Sequence, residues 1–169
     1  MGTEAIAEAR GAGADPRAGI TRGTASDAGN AGVIAAMPGP VAAFYRGFLT
    51  GDVPAIVALL HPDVRIRFPS YPVLRGVPAA RHYFEFQENA FGELAFQLVE
   101  TFTEGAVTYV VWREDGVLAS GAPWRCHGVD TIECRGGAIA RVDVGGSAWP
   151  LLEILPRYSP EARAPEATS

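Results

Sequence analysis

Basic residues are in the minority in this sequence of 169 residues, because 14 Lys and Arg stand against 19 Asp and Glu, for a formal net charge of -5. A nucleic-acid-binding domain needs a concentrated basic surface, so nucleic acid is not an expected partner. Long hydrophobic runs are also missing, and none approaches the ~20 residues of a membrane-spanning helix. Residues 1–10 lack the basic and apolar regions of a signal peptide. We therefore expect a cytoplasmic protein with no membrane partner.

Cysteine and histidine are scarce too. The only cysteines, Cys126 and Cys134, would lie ~26 Å apart on one strand, which is too far for a disulfide. The three histidines, His61, His82 and His127, are spread over different predicted elements without ligand spacing, so no metal site is expected. No glycine-rich motif follows a predicted strand and precedes a helix, as phosphate binding would require. The sequence therefore implies neither a metal nor a nucleotide cofactor.

Composition divides the chain into three parts. Residues 1–38 are rich in glycine and alanine with few large apolar side chains, which predicts a disordered N-terminal tail. Residues 39–156 carry the periodic hydrophobic patterns of one domain, and the overall hydrophobic fraction of 48% is enough for a core. Residues 157–169 are expected to form a second loose tail.

Helical patterns come first in the central part, and strand patterns follow. The stretch "PVAAFYRGFLTGD" places Val41, Phe44, Tyr45 and Phe48 on one helix face, with Gly51 ending the helix and Asp52 capping the next. A short second helix, the strand "VRIRF" and a third helix from Pro78 come next. After them the sequence is strand-like to residue 144. This order predicts an α+β fold, a cone-shaped curved antiparallel sheet wrapped around about three N-terminal helices, with an internal apolar cavity.

One carboxylate breaks the alternation of a predicted strand, "WRCHGVDTIEC". Asp130 shares a face with Trp124, Cys126 and Ile132, while the polar residues occupy the other face. A buried, isolated carboxylate is costly when ionised, so its pKa should rise towards neutrality, which suits proton transfer. The alternative is a bulge at Gly128 that turns Asp130 to the surface.

Several short sequence segments, which occur in a fixed order, indicate a known family. The stretches "FYRGFLTGDVPAIVALLHPDVRIRFP", "RGVPAARHYF" and "HGVDTIECRGGAIARV" resemble those of SnoaL-like polyketide cyclases and ketosteroid isomerases in the nuclear transport factor 2 superfamily. The resemblance covers about residues 40–155. It implies a cone-shaped α+β barrel, often a homodimer, with a deep apolar cavity. It also implies that Asp130 matches the acid/base aspartate of the cyclases.

Other functional residues of the family match this sequence only in part. The general base of the isomerases would fall at Phe68 and their oxyanion tyrosine at Phe44, with Tyr45 one residue out of register, so that mechanism is not expected. Limonene epoxide hydrolase, a relative with the same fold, uses an arginine and two aspartates. Arg113 and Asp115 in "REDG" reproduce part of this spacing and Asp143 lies near the second aspartate. However, "EDG" is typical of a tight turn, and the alternation of "AIARVDV" turns Asp143 away from the apolar face.

These considerations define the candidate site. The candidate catalytic residues are Asp130, Arg113 and Asp143. Aromatic residues are the candidate cavity walls, although core packing explains most aromatic side chains equally well; these are Phe44, Tyr45, Phe68, Tyr71, Phe84, Trp124 and Trp149.

The expected function is that of a cofactor-independent enzyme of polyketide or terpenoid metabolism. Asp130 would act as the acid and base of a cyclase or isomerase on a hydrophobic small molecule. One alternative is an epoxide hydrolase of the limonene epoxide hydrolase type. The other is a small-molecule-binding or assembly module that has no catalytic activity, which the missing isomerase partners at Phe44 and Phe68 favour.

Overall fold

The computed structural model describes residues 21–22, 27–69, 72–118 and 120–146. It contains four helices, α1 (Asp27–Ala35), α2 (Gly39–Thr50), α3 (Val53–Ala58) and α4 (Gly76–Ala90). The strands are β1 (Thr21–Arg22), β2 (Leu60–Arg67), β3 (Leu74–Arg75), β4 (Phe91–Glu104), β5 (Val107–Leu118), β6 (Pro123–Arg135) and β7 (Ala138–Gly146). Tyr71 and Trp149 lie outside the described residues. None of the described helices is long and apolar enough to cross a membrane.

The seven strands form one sheet in the order β1-β4-β5-β6-β7-β2-β3. Strands β4 to β7 pair antiparallel with their chain neighbours, as turns between consecutive strands allow. The predicted α+β class is therefore confirmed. The sheet is mixed rather than antiparallel throughout, because β2 runs parallel to β7 and β1 runs parallel to β4.

The junction between α2 and α3 forms as predicted. Gly51 adopts a left-handed conformation with φ 70° and ends α2, which a residue without a side chain does at little cost. The Asp52 carboxylate accepts a hydrogen bond from the Ala55 amide at 2.9 Å and caps α3. These two residues therefore end α2 and begin α3.

The predicted disordered tail is wrong for residues 27–35, which form α1. Asn30 is buried, its amide donates to the Phe96 carbonyl at 3.0 Å, and its oxygen accepts from the Leu98 amide at 2.8 Å. These hydrogen bonds join α1 to β4, and Ile34 and Met37 extend the core. Asn30 is satisfied by backbone groups of Phe96 and Leu98, which lie far along the sequence, so composition alone did not reveal the helix.

Strand β5 corrects a second prediction, the tight turn at "REDG". The pairing of β5 with β4 and β6 continues without interruption through Glu114, Asp115 and Gly116. Gly116 serves the close approach of β4, because a Cβ atom there would lie 2.2 Å from the Glu93 carbonyl oxygen. The connection to β6 instead follows Leu118.

Candidate active site

A cavity of about 60 Å³ lies between the inner face of the sheet and helices α2 and α4. Most of its wall is aromatic or aliphatic, as is usual for sites that bind small molecules. The described residues that line it are Phe44, Tyr45, Phe48, Ile66, Phe68, Tyr83, Phe84, Gln87, Phe91, Phe96, Trp112, Glu114, Cys126, Asp130, Val142 and Val144.

Asp130 lies in this wall and is only 8% exposed. Residues along β6 alternate strictly between exposed and buried from Pro123 to Asp130. The register with β5 runs from Val107 to Val117 without a shift, so the alternative of a bulge at Gly128 is wrong. The two-residue period of the strand therefore places the carboxylate inside, as the sequence predicted.

Both oxygens of the Asp130 carboxylate accept a buried hydrogen bond. The Tyr45 hydroxyl of α2 donates to Oδ2 at 2.6 Å, and the Trp112 indole Nε1 of β5 donates to Oδ1 at 2.8 Å. Trp112 lies opposite Gly128, two residues from Asp130, which is the diagonal position that a long side chain can reach. Asp130 therefore connects the helical layer with two strands of the sheet.

The environment of Asp130 raises the pKa of its carboxyl group towards neutrality. Burial raises the pKa of Asp130 from its ordinary value of 3.8 to about 6, and the hydrogen bonds from Tyr45 and Trp112 lower the pKa and so limit the rise. Burial, followed by the nearby Asp130 charge, raises the pKa of Tyr45 well above 10. Tyr45 therefore stays a neutral donor while Asp130 can gain or lose a proton near pH 6.

The raised pKa makes a prediction about stability. Because the pKa of Asp130 is higher in the folded protein than in the unfolded chain, protonated Asp130 favours folding; this contribution is complete below pH 3.8 and is lost as the pH rises through about 6. Asp130→Asn does not titrate. The free energy of unfolding of the wild type, minus that of the variant, should therefore fall by about 2 kcal/mol between pH 4.5 and pH 7.5. Urea unfolding at both pH values measures it, and a constant difference would contradict the raised pKa.

A second carboxylate of the cavity, Glu114, was missed by the sequence analysis. It is 6% exposed and accepts a hydrogen bond from the Trp124 indole Nε1 at 3.0 Å. The sequence indicated this position, because Glu114 is two and four residues after Trp112 and Val110. Side chains two residues apart on a strand share a face, and here that face is the inner one. The mistaken turn at "EDG" concealed that signal.

The buried polar residue Gln87 was also missed. It lies on α4, three and four residues after Phe84 and Tyr83, and shares their inward face. A glutamine at that spacing carries a sequence signal only once the neighbouring aromatic residues are assigned to a cavity.

The structure does not bring Arg113 and Asp143 to Asp130. Arg113 is exposed, and its Nε donates to the Gln97 Oε1 at 2.7 Å. The Asp143 carboxylate pairs with Arg67 at 3.0 Å and with Arg141, away from the cavity. Asp115 also faces outward and forms an ion pair with Arg125. Side chains of β5 alternate between two faces, so Arg113 and Asp115 face outward because Glu114 between them faces inward.

The predicted aromatic walls divide into three groups. Phe44, Tyr45, Phe68 and Phe84 line the cavity. Trp124 is buried behind it, where its ring contacts Phe91 edge-on at 5.1 Å and its indole binds Glu114. The remaining two, Tyr71 and Trp149, lie outside the described residues.

Comparisons with solved structures place the fold among known proteins. An NTF2-like protein of unknown function from Burkholderia pseudomallei K96243 is similar at 16% identity and TM-score 0.61, over 68% of this chain and 93% of that chain. A protein from Jannaschia sp. CCS1, proposed to be a SnoaL-like polyketide cyclase, is similar at 17% identity and TM-score 0.58, over 68% of this chain and 90% of that chain.

SalBIII, an epoxide hydrolase/cyclase-like enzyme with a role in pyran ring formation in the polyether salinomycin, is similar at 22% identity and TM-score 0.57, over 64% of this chain and 88% of that chain. At these identities the likeness concerns the fold. No curated protein sequence matches this chain. The model of the SnoaL-like domain family matches residues 41–142, which include most of α2 and all of α4, β5 and β6 with Asp130. The protein therefore belongs to the SnoaL-like family.

Proposed function

We propose that this protein is a cofactor-independent enzyme that moves a proton on a small hydrophobic ketone, as an isomerase or cyclase of polyketide or terpenoid metabolism. Asp130 would be its acid and base. The observation that carries the proposal is a carboxylate 8% exposed in an apolar cavity, held by Tyr45 and Trp112, with its pKa raised to about 6. A base with a pKa near the working pH combines sufficient strength with the ionised form.

The first step is removal of a proton from a carbon next to the carbonyl group. Ionised Asp130 takes this proton, and the C–H electron pair forms a C=C bond to the carbonyl carbon. The electron pair of the C=O π bond moves to the oxygen, which then carries the negative charge of the enolate. Protonated Asp130 attracts the Tyr45 hydroxyl hydrogen less strongly than the carboxylate did. The hydroxyl is then available to donate to the enolate oxygen in a cavity whose walls are mainly apolar.

The second step returns the proton, and the acceptor decides the reaction. In an isomerisation, Asp130 protonates a different carbon of the delocalised enolate, so that the double bond moves. In a cyclisation, the enolate carbon attacks a second carbonyl group, a C–C bond forms, and Asp130 protonates the resulting alkoxide. Both routes restore the carboxylate and need no other reactant.

The size of the cavity sets a condition on the substrate. About 60 Å³ holds several water molecules, whereas an engineered cavity known to bind benzene has a volume of ~150 Å³. A ring-containing substrate therefore requires the aromatic walls to move apart. Phe68 and Tyr83 meet at 4.7 Å between ring centres, and Phe44 and Phe84 at 5.9 Å, so rotation within these pairs would create space.

The positions of other side chains argue against two alternatives. Phe44 and Phe68 place hydrocarbon rings in the cavity where the ketosteroid isomerases carry a tyrosine and a base. The epoxide hydrolase pattern would need Arg113, Asp115 and Asp143 around one water molecule. Arg113 instead donates to Gln97, Asp115 pairs with Arg125, and Asp143 pairs with Arg67 and Arg141. The proposal therefore relies on Asp130 and Tyr45.

The test uses 2-tetralone, an aromatic ketone with exchangeable protons beside its carbonyl group. Proton NMR in D₂O follows the loss of these signals with and without protein. We expect protein-dependent exchange whose rate, after subtraction of the buffer reaction, rises with an apparent pKa near 6 and then levels off. Binding of 2-tetralone without accelerated exchange would instead favour the non-catalytic binding module.

A further inference from the structure

The Gln87 side chain is a polar group of the cavity to which the proposed chemistry gives no role. Gln87 is 8% exposed and lines the same wall as Asp130. Within the part of the chain that the structure describes, its amide makes no hydrogen bond to protein. A buried amide has two donors and one acceptor, and leaving them unpaired is unfavourable. Such groups in proteins are usually satisfied by water or by a ligand.

The position of Gln87 along the chain points to the Glu114 end of the cavity. Gln87 is in the last turn of α4, four residues before Phe91, which begins β4. The Phe91 ring contacts Trp124, and Trp124 donates its indole hydrogen to Glu114. The strand register separates this end from Asp130. Glu114 pairs with Cys126 and Asp130 pairs with Val110, so the two carboxylates are four residues apart along the strands, ~13 Å.

The charge of the lining restricts the ligand. Asp130 and Glu114 are carboxylic residues, and none of the described residues that line the cavity is a lysine, arginine or histidine. An anionic ligand would therefore meet repulsion without a compensating cation. An amide both donates and accepts, which suits a hydroxyl or carbonyl group, and the aromatic walls suit a ring.

We propose that Gln87 binds a hydroxyl or carbonyl group of the substrate at the Glu114 end of the cavity. The substrate is then an uncharged aromatic molecule with polar groups at both ends. One is the carbonyl group at Asp130, and the other lies across the ring system at Gln87. The orientation of the carbonyl end rests on the proposed function, whereas the contact with Gln87 does not.

Two probes that differ by one hydroxyl group test the contact. 2-Tetralone and 6-hydroxy-2-tetralone share the ketone, and only the second carries a hydroxyl group on the distant ring. Quenching of the tryptophan fluorescence gives their dissociation constants for the wild type, Gln87→Leu and Gln97→Leu. Gln97 serves as the matched control because it binds Arg113 outside the cavity.

We expect the wild type and Gln97→Leu to bind the hydroxylated probe about five- to tenfold more tightly. Gln87→Leu should lose this preference and bind 2-tetralone within about twofold of the wild type. Absence of a preference in the wild type, or its persistence in Gln87→Leu, would overturn the inference. If the preference depends on Gln87 while exchange at the ketone is absent, the proposed function fails and the inference stands.

Thermal unfolding provides a measurement that needs no ligand. Leucine removes the unpaired amide with little change in volume, so the melting temperature of Gln87→Leu should rise by about 3 °C, and that of Gln97→Leu should not. A lower melting temperature for Gln87→Leu would show that the amide is needed by the fold, and would overturn the inference even if neither probe binds.

Discussion

Asp130→Asn is expected to reduce the protein-dependent exchange of 2-tetralone by a factor of about 10² to 10⁴, which is the usual contribution of a general base. The amide of asparagine cannot accept the proton, and it presents an NH₂ group to one of the two donors, Tyr45 or Trp112. Proton NMR at pH 7.5 measures the rate. Asp63→Asn is the matched control because Asp63 is exposed and outside this cavity. Equal rates in the wild type and Asp130→Asn would place the base elsewhere.

Tyr45→Phe separates chemistry from folding in the same assay. The Tyr45 hydroxyl lowers the pKa of Asp130, so its removal should move the midpoint of the pH–rate profile to higher pH. It should also slow exchange on the plateau, because the enolate loses a donor. A purely structural role for Tyr45 would change the amount of folded protein and leave the midpoint in place.

Gly128→Ala is expected to destabilise the fold by about 3 kcal/mol, the upper range for overpacking. A Cβ atom at residue 128 would lie 2.1 Å from the Gly145 carbonyl oxygen and 2.8 Å from Cζ2 of Trp112. The carbonyl oxygen belongs to the β7 backbone and cannot move without disturbing the pairing with β6. Displacement of Trp112 would also weaken its hydrogen bond to Asp130.

Gly32→Ala is the control for this substitution. Gly32 lies in α1 with nothing within 4 Å of a Cβ atom, so alanine should stabilise the helix by up to ~1 kcal/mol. The midpoint of urea unfolding should therefore fall for Gly128→Ala and stay the same or rise for Gly32→Ala. A midpoint for Gly128→Ala equal to that of the wild type would mean that β7 accommodates a methyl group.

Local patterns were enough to predict the position of Asp130. The two-residue period of a strand is a property of the backbone, so "WRCHGVDTIEC" alone indicated that the carboxylate faces inward. The same holds for Gly51 and Asp52, since a left-handed C-cap and a side-chain cap depend on residues within one turn. The apolar stripe of α2 likewise specified which face is buried, namely that of Val41, Phe44, Tyr45 and Phe48.

The partners of Asp130 depend on the tertiary structure. Phe44 and Tyr45 are both buried on α2, and only the placement of that helix against β5 and β6 decides that the Tyr45 hydroxyl reaches the carboxylate. Glu114 faces the cavity because Gly116 allows β4 to approach and keeps β5 continuous, where the local sequence indicated a turn. Asp143 pairs with Arg67, which is 76 residues away, because β2 runs beside β7. Contacts of this kind depend on strand pairing and helix packing between distant residues, which a local pattern does not contain.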